Sequence, residues 1–239
     1  MILYGRNVIS EILKNGKRKI FGIYVAEGAG GTEFILNEAK KKGIKVIKAE
    51  RKKINEITGT EKNQGIAAKT EGVALLSIEE FINKNRDKKE VLAAVLDGVE
   101  DPRNTGAVIR SCEVFGIDGL VISSKRSAPI NDAAYKASSG AAEYIDIIRV
   151  SNINNALLKF KKAGFWIYGF DVKGDKFLDE TKFDNRSVLV FGSEGKGVRR
   201  LVRENCDFLL KIRQRGKINS LNVSNAAAIV FYEINGNKT

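Results

Sequence analysis

Three segments carry the residues able to do chemistry, and the chain contains no histidine at all. The first is Asp101-Pro102-Arg103-Asn104-Thr105-Gly106-Ala107-Val108-Ile109-Arg110. Asn104 is placed to cap a helix there. Arg110 sits among small and apolar neighbours, so it is either a surface charge or a charge with a partner. The second is Gly192-Ser193-Glu194-Gly195-Lys196-Gly197, a lone carboxylate between glycines. Glu194 either favours the N-terminus of the following helix or meets a cationic group such as Arg110. The third runs from Ile212 to Asn222. Its cations Arg213, Arg215 and Lys217 precede Ser220, Asn222 and Ser224. That pattern is a basic loop entering a helix cap, or a set of contacts for ribose and phosphate. The absence of histidine removes His-based triads, the usual zinc sites and imidazole acid–base catalysis. Chemistry is left to carboxylates, Arg and Lys, Ser and Asn, and the backbone.

The elements that must position these segments alternate between strand and helix. Val91–Val95 is a continuous apolar run, as a buried parallel strand requires. Thr105–Phe115 reads as a helix, Leu120–Ser123 as a strand, Asp132–Glu143 as a helix of small residues and Tyr144–Val150 as a strand. Ile153–Ala163 is a helix and Phe165–Phe170 a strand. Val188–Phe191 is a strand, Val198–Asn205 a helix, Phe208–Ile212 a strand and Leu221–Ile234 a long last helix. This order predicts a mostly parallel sheet covered by helices on both faces, with its ligand site beyond the strands' C-terminal ends. The turn at Gly192 and the loop Arg213–Ser220 fall there.

Residues before 72 form a smaller α/β unit, with strands at 20–26, 45–49 and 64–69 and helices at 8–13, 33–42 and 51–57. Ser77-Ile78-Glu79-Glu80 is a capping box, and polar residues 83–89 suggest the end of a linker spanning 73–90. Gly28-Ala29-Gly30-Gly31 lacks the spacing of a dinucleotide fingerprint and reads as a turn, while Gly192–Gly197 lacks that of a P-loop.

The 239 residues have 43% hydrophobic content and a net charge of +12. Residues 1–85 and 86–239 each carry net +6, so no single tail accounts for the charge. A basic chain of this size points to nucleic acid; a solvated Lys-rich surface is the plainer alternative. No run approaches the ~18 apolar residues of a membrane span. Met1-Ile2-Leu3-Tyr4-Gly5-Arg6 meets a polar residue at once, against a signal peptide. Two cysteines, Cys112 and Cys206, suit a reducing cytoplasm. No metal site is expected.

Together, Asn104, Gly106, Ala107 and Arg110, then Gly192-Ser193-Glu194-Gly195 with Gly197, then Ser220-Leu221-Asn222-Val223-Ser224 resemble the SpoU family of RNA ribose 2′-O-methyltransferases over residues 91–239. The resemblance implies an α/β fold of SPOUT type with a trefoil-knotted parallel-sheet domain, S-adenosylmethionine as cofactor, and a homodimer formed through that domain. Tyr4-Gly5-Arg6-Asn7-Val8 and Gln64-Gly65-Ile66-Ala67 resemble the small ribosomal-protein-like RNA-binding domain that precedes the catalytic domain in large-subunit rRNA guanosine methyltransferases. The expected organisation is thus an RNA-binding domain at 1–72, a linker, and a catalytic domain at 91–239. The implied substrate is a guanosine of 23S rRNA; the alternatives are the same chemistry on tRNA and a ribosome assembly factor without turnover.

By resemblance, Gly192, Ile212 and Leu221 hold the adenine and ribose end of the cofactor through backbone groups, with Gly197 and Ser220 beside them. Arg110 acts as the base or binds the neighbouring phosphate. Arginine stays protonated in ordinary settings, which favours the phosphate role. Asn104 and Glu194 position Arg110, and Ser220 and Asn222 hold cofactor or ribose. Arg6, Arg213, Arg215 and Lys217 are expected to contact RNA. One departure stands out: Arg213-Gln214 occupies the place where the family has Pro-Met.

Overall fold

A computed structural model describes residues 1–125, 127, 130–218 and 220–236. The first unit holds β1 (Ile2–Tyr4), α1 (Arg6–Asn15), β2 (Ile20–Ala26), α2 (Glu33–Lys41), β3 (Val46–Ala49), α3 (Arg51–Thr58) and β4 (Ile66–Thr70). Its sheet has the order β1-β4-β2-β3, with β4 antiparallel to both neighbours and β2 parallel to β3. The pleat sorts β4: Ile66 and Ala68 meet Ile9 and Leu13 of α1 on one face, while Ala67 meets Ile54 of α3 on the other. Strand β1 was not expected from the sequence. Gln64-Gly65, read as strand, is instead a turn with φ of 60° and 73°.

The second unit holds β5 (Leu75–Leu76), α4 (Ile78–Lys84), β6 (Val91–Asp97), α5 (Pro102–Val114), β7 (Gly119–Ser123), α6 (Asp132–Ser138), β8 (Asp146–Val150), α7 (Ile153–Lys162), β9 (Trp166–Phe170), β10 (Lys176–Phe177), β11 (Arg186–Gly192), α8 (Arg200–Glu204), β12 (Phe208–Lys211) and α9 (Val223–Gly236). Its eight strands run parallel in the order β10-β12-β9-β11-β6-β7-β8-β5. The apolar run of β6 supplies both faces. Leu92, Ala94 and Leu96 pack under α5, α6 and α9; Val91, Ala93 and Val95 pack under α4, α7 and α8. Full burial of each such large apolar side chain contributes roughly 1.5–3 kcal/mol. The α/β architecture read from the sequence is the one found: a parallel-sheet domain after a small α/β domain.

Three expectations change. Asn104 does not cap α5: the cap is Asp101, whose Oδ1 accepts from the Arg103 N–H at 2.8 Å, with Pro102 opening the helix. Asn104 lies inside the first turn, free to point elsewhere. The helix expected over 132–143 breaks at Ser139 (φ 53°) and Gly140 (φ 92°), and a 3-10 turn follows at Ala141–Glu143. Residues 73–90 are not a linker. Leu75 and Leu76 pair with Ile147 and Ile148 at the sheet edge, the capping box of Ser77 and Glu80 starts α4, and Ile78 and Phe81 are buried. Only a short stretch between Thr70 and Leu75 joins the two sheets.

Candidate active site

Strands β9, β11 and β12 end side by side, and their C-terminal loops enclose a pocket. It is lined by Phe170, Phe191, Leu210, Ile212, Leu221 and Val223 among its apolar residues, and by Asp171, Ser193, Glu194 and Ser220 among its polar ones. Phe170 and Phe191 stack with ring centroids 5.0 Å apart and planes at 10°, and Phe231 of α9 meets Phe191 edge-on at 5.6 Å. These rings fix the floor of the pocket and seat the last helix on the sheet.

The loop after β11 folds back on itself. The Gly197 N–H donates to the Ser193 carbonyl at 2.9 Å. Gly192 lies so close to the backbone of Gly197 and Val198 that a Cβ there would overlap it. Gly195 and Gly197 adopt φ of 82° and 63°, conformations that favour glycine. A Cβ on Gly197 would also press on the Asp171 carboxylate, 2.7 Å away.

Three expected side chains from distant segments meet at the rim. The Asn104 Nδ2 donates to Glu194 Oε1 at 2.9 Å. The Asn222 Nδ2 lies 2.5 Å from the same oxygen and 3.0 Å from Asn104 Oδ1. Asn222 also caps α9, its Oδ1 accepting from the Ser224 N–H at 2.9 Å and from the Ser224 hydroxyl. Glu194 therefore ties the start of α5 to the start of α9 across the mouth of the pocket.

Arg110 does not join them. It is exposed on α5, and its Nη1 donates to Ser139 Oγ at 3.3 Å. The expected pairing of Arg110 with Asn104 and Glu194 is not formed, because six residues along a helix turn the side chain away from Asn104. Arg213 also differs from expectation. Its guanidinium covers the Phe177 ring at 3.8 Å, pairs with Asp179 at 2.8 Å and closes on Glu180. Its charge is spent within the chain. Arg6 is likewise engaged: its N–H donates to Gln64 Oε1 at 2.7 Å and its Nη1 to the Gly30 carbonyl at 2.9 Å. Arg215 and Lys217 lie exposed on the loop.

Gly192, Gly197, Ile212, Ser220 and Leu221 all line the pocket. The sequence reading missed Phe170 and Asp171, which line it too. It also missed two ion pairs that brace the loops. Asp97, at the end of β6, is wholly buried and held by Arg199; Asp171 is held by Arg203 at 3.2 Å. A carboxylate closing an otherwise apolar run, as Asp97 closes 91–97, was the available signal.

The second unit matches the SpoU rRNA methylase family over residues 91–232, and the first matches an RNA 2′-O ribose methyltransferase substrate-binding family over residues 2–75. The chain belongs to the SpoU rRNA methylase family. Members of this family methylate RNA ribose 2′-OH groups with S-adenosylmethionine. The 23S rRNA (guanosine-2′-O-)-methyltransferase RlmB of Coxiella burnetii is 36% identical over 236 residues, 97% of this chain and 94% of that protein. An uncharacterized tRNA/rRNA methyltransferase of Borreliella burgdorferi is 36% identical over 210 residues, 85% and 92% of the two chains. The crystal structure of the SpoU methyltransferase AviRb from Streptomyces viridochromogenes in complex with AdoMet superposes with a TM-score of 0.81 at 20% identity, covering 100% of this chain and 90% of that one.

The pocket's chemistry fits this cofactor. Its apolar slot suits a purine, and its carboxylates and main-chain groups suit ribose hydroxyls and an amino group. Among the described residues, no helix is long and apolar enough to cross a membrane and no cluster of three or more His, Cys, Asp or Glu could hold a metal.

Proposed function

We propose that this chain transfers a methyl group from S-adenosylmethionine to the ribose 2′-OH of a guanosine in large-subunit ribosomal RNA, as a cytoplasmic homodimer. The observation that carries the reading is the Asn104–Glu194–Asn222 network at the rim of a pocket lined by Gly192, Ile212 and Leu221. Three segments separated by up to 118 positions converge there. The name of the Coxiella burnetii relative supports the rRNA guanosine.

The cofactor, when bound, supplies an activated methyl group. The chain's part is to orient the ribose and ease the loss of its proton. Gly192, Ile212, Ser220 and Leu221 would hold the cofactor, with Gly197 shaping the loop. Arg110 uses one of its five N–H donors on Ser139, which leaves the others for a substrate phosphate. Arg215 and Lys217, exposed beside the pocket, suit the RNA backbone. The exposed Val114, Ile229 and Tyr232 on the α5–α9 face suit the dimer contact.

The deciding experiment maps 2′-O-methyl groups in rRNA and tRNA from cells with and without the gene. Loss of one 23S guanosine mark is expected. A lost mark in tRNA alone would reassign the substrate. No lost mark, with rRNA binding retained, would favour an assembly factor without turnover.

A further inference from the structure

The turn that receives Arg110 is built by both units of the chain. Ser139 ends α6 in the left-handed region, which glycine favours and serine rarely adopts. Its Oγ is the acceptor for Arg110 Nη1. What holds Ser139 there comes from two sides. On one side, α6 lies against α5, where a Cβ on Gly106 would overlap the Ala134 carbonyl. On the other side stands the first unit. A Cβ on Gly140 would meet the Glu11 side chain of α1, its Cβ at 2.8 Å and its Cγ at 3.0 Å, so the glycine leaves the space that this side chain fills.

Hydrogen bonds and charges lock the same seam. The Tyr144 hydroxyl donates to Glu11 Oε2 at 2.7 Å, and the Asn15 Nδ2 donates to the Glu143 carbonyl at 2.9 Å. Arg18 stacks on the Tyr135 ring at 4.6 Å and pairs with Glu143 at 3.2 Å, with 5% and 4% of the two side chains exposed. Tyr135 donates to the same Glu143 carboxylate. Leu3, Val8 and Ile12 of the first unit belong to the apolar cluster that contains Tyr135, Ala141 and Ala142. The break between α6 and its 3-10 turn is therefore fixed by the RNA-binding unit on one face and by the helix of Arg110 on the other.

We propose that Ser139 is a positioning residue for Arg110, and that the first unit, by docking on residues 139–144, sets the orientation of that arginine. The inference rests on the role given to Arg110 above. It makes the first unit a part of the catalytic machinery as well as a surface that captures RNA.

The test compares Ser139→Gly, which keeps the left-handed turn and removes the acceptor, with Ser139→Asn, which tolerates that turn and restores one. Methyl transfer to rRNA is measured as kcat and KM, alongside S-adenosylmethionine affinity by calorimetry. In Ser139→Gly, kcat should fall roughly 10- to 100-fold with cofactor affinity unchanged, and Ser139→Asn should recover most of it. In an Arg110→Ala background, Ser139→Gly should have no further effect, because Ser139 acts through the arginine. Glu11→Ala, at the seam and remote from the pocket, should lower kcat in the same direction. Unchanged kcat in Ser139→Gly while Arg110→Ala is inactive would overturn this proposal alone. A wild-type chain that binds the cofactor yet methylates no RNA would overturn it together with the functional reading.

Discussion

Arg199 grips the wholly buried carboxylate of Asp97 with its own main chain and side chain at once: its N–H donates to Oδ2 at 2.9 Å and its Nε to Oδ1 at 2.6 Å. Asp97 ends β6 and Arg199 follows the Gly192–Gly197 loop, so this clamp pins one wall of the pocket to the centre of the sheet. Removing one partner of a buried pair costs several kcal/mol. Arg199 is 44% exposed and its main-chain bond would survive, so Arg199→Ala should cost about 2 kcal/mol. Denaturant titration would show it as a lower midpoint at constant slope. Cofactor affinity should fall with it, because the loop loses its anchor.

Glu194 accepts from two amides that belong to different helices. Glu194→Gln keeps its size and replaces one oxygen by a donor. Both amides donate to the one oxygen Oε1, so a carboxamide oxygen could still accept from both, but as neutral hydrogen bonds weaker than those a carboxylate accepts. Methyl transfer should fall about 100-fold, with little change in melting temperature, since the residue is exposed. Asn222→Ala should lower methyl transfer similarly and, by removing the cap of α9, lower the melting temperature as well. Steady-state kinetics and thermal melts on the same samples would check both.

The loop cations should divide by their partners. Arg213 is neutralised by Asp179 and Glu180, whereas Arg215 and Lys217 are exposed. Arg215→Ala and Lys217→Ala should each weaken RNA binding and lower the slope of log affinity against log salt by about 1. Arg213→Ala should leave that slope unchanged. Filter binding across a salt series gives all three slopes.

The seam between the units carries its own pH window. A hydrogen bond from Lys14, then one from Tyr144, holds the Glu11 carboxyl below its usual range. The hydrogen bond to Glu11 pushes Tyr144 up to about 12. A depressed carboxylate stabilises the fold above its unfolded value of about 4.3, and that contribution fades as pH falls through the lower folded value. A raised phenol stabilises below its unfolded value of about 10, and that contribution is lost as pH rises through its folded value. The tie is thus whole between about pH 4.3 and about pH 10. Glu11→Gln should flatten both limbs of a stability profile measured from acid to alkaline pH; limbs as steep as wild type would exclude the tie.

Much of the pocket was legible because its parts are local. Gly192, Ile212 and Leu221 sit where apolar runs give way to loops, and that change is written in neighbouring residues. The same holds for the alternating faces of β6. What the sequence hid depends on partners far away. Arg213 looked like an RNA contact because Asp179 and Glu180 lie more than thirty positions before it. Arg18 and Glu143 left no periodic trace of their pairing across the two units. Strands β1 and β5 are two or three residues long, too short for any pattern, and exist because an edge of a neighbouring strand accepts them. Asn104 was read as a cap because its type suits one, yet Asp101 three positions earlier suits it as well and leaves Asn104 for Glu194.

The strand order has a consequence for how this chain is made on the ribosome. β6 lies between β7, which follows it closely, and β11, which ends at Gly192. While everything between Ser123 and Arg186 is being synthesised, one side of a strand that is apolar from Val91 to Leu96 waits with its main-chain groups unmated. Such an edge invites pairing with other chains. The nascent protein should therefore lean on a chaperone during that interval, and a pause in translation just before residue 186 should lower its soluble yield more than a pause just after residue 192.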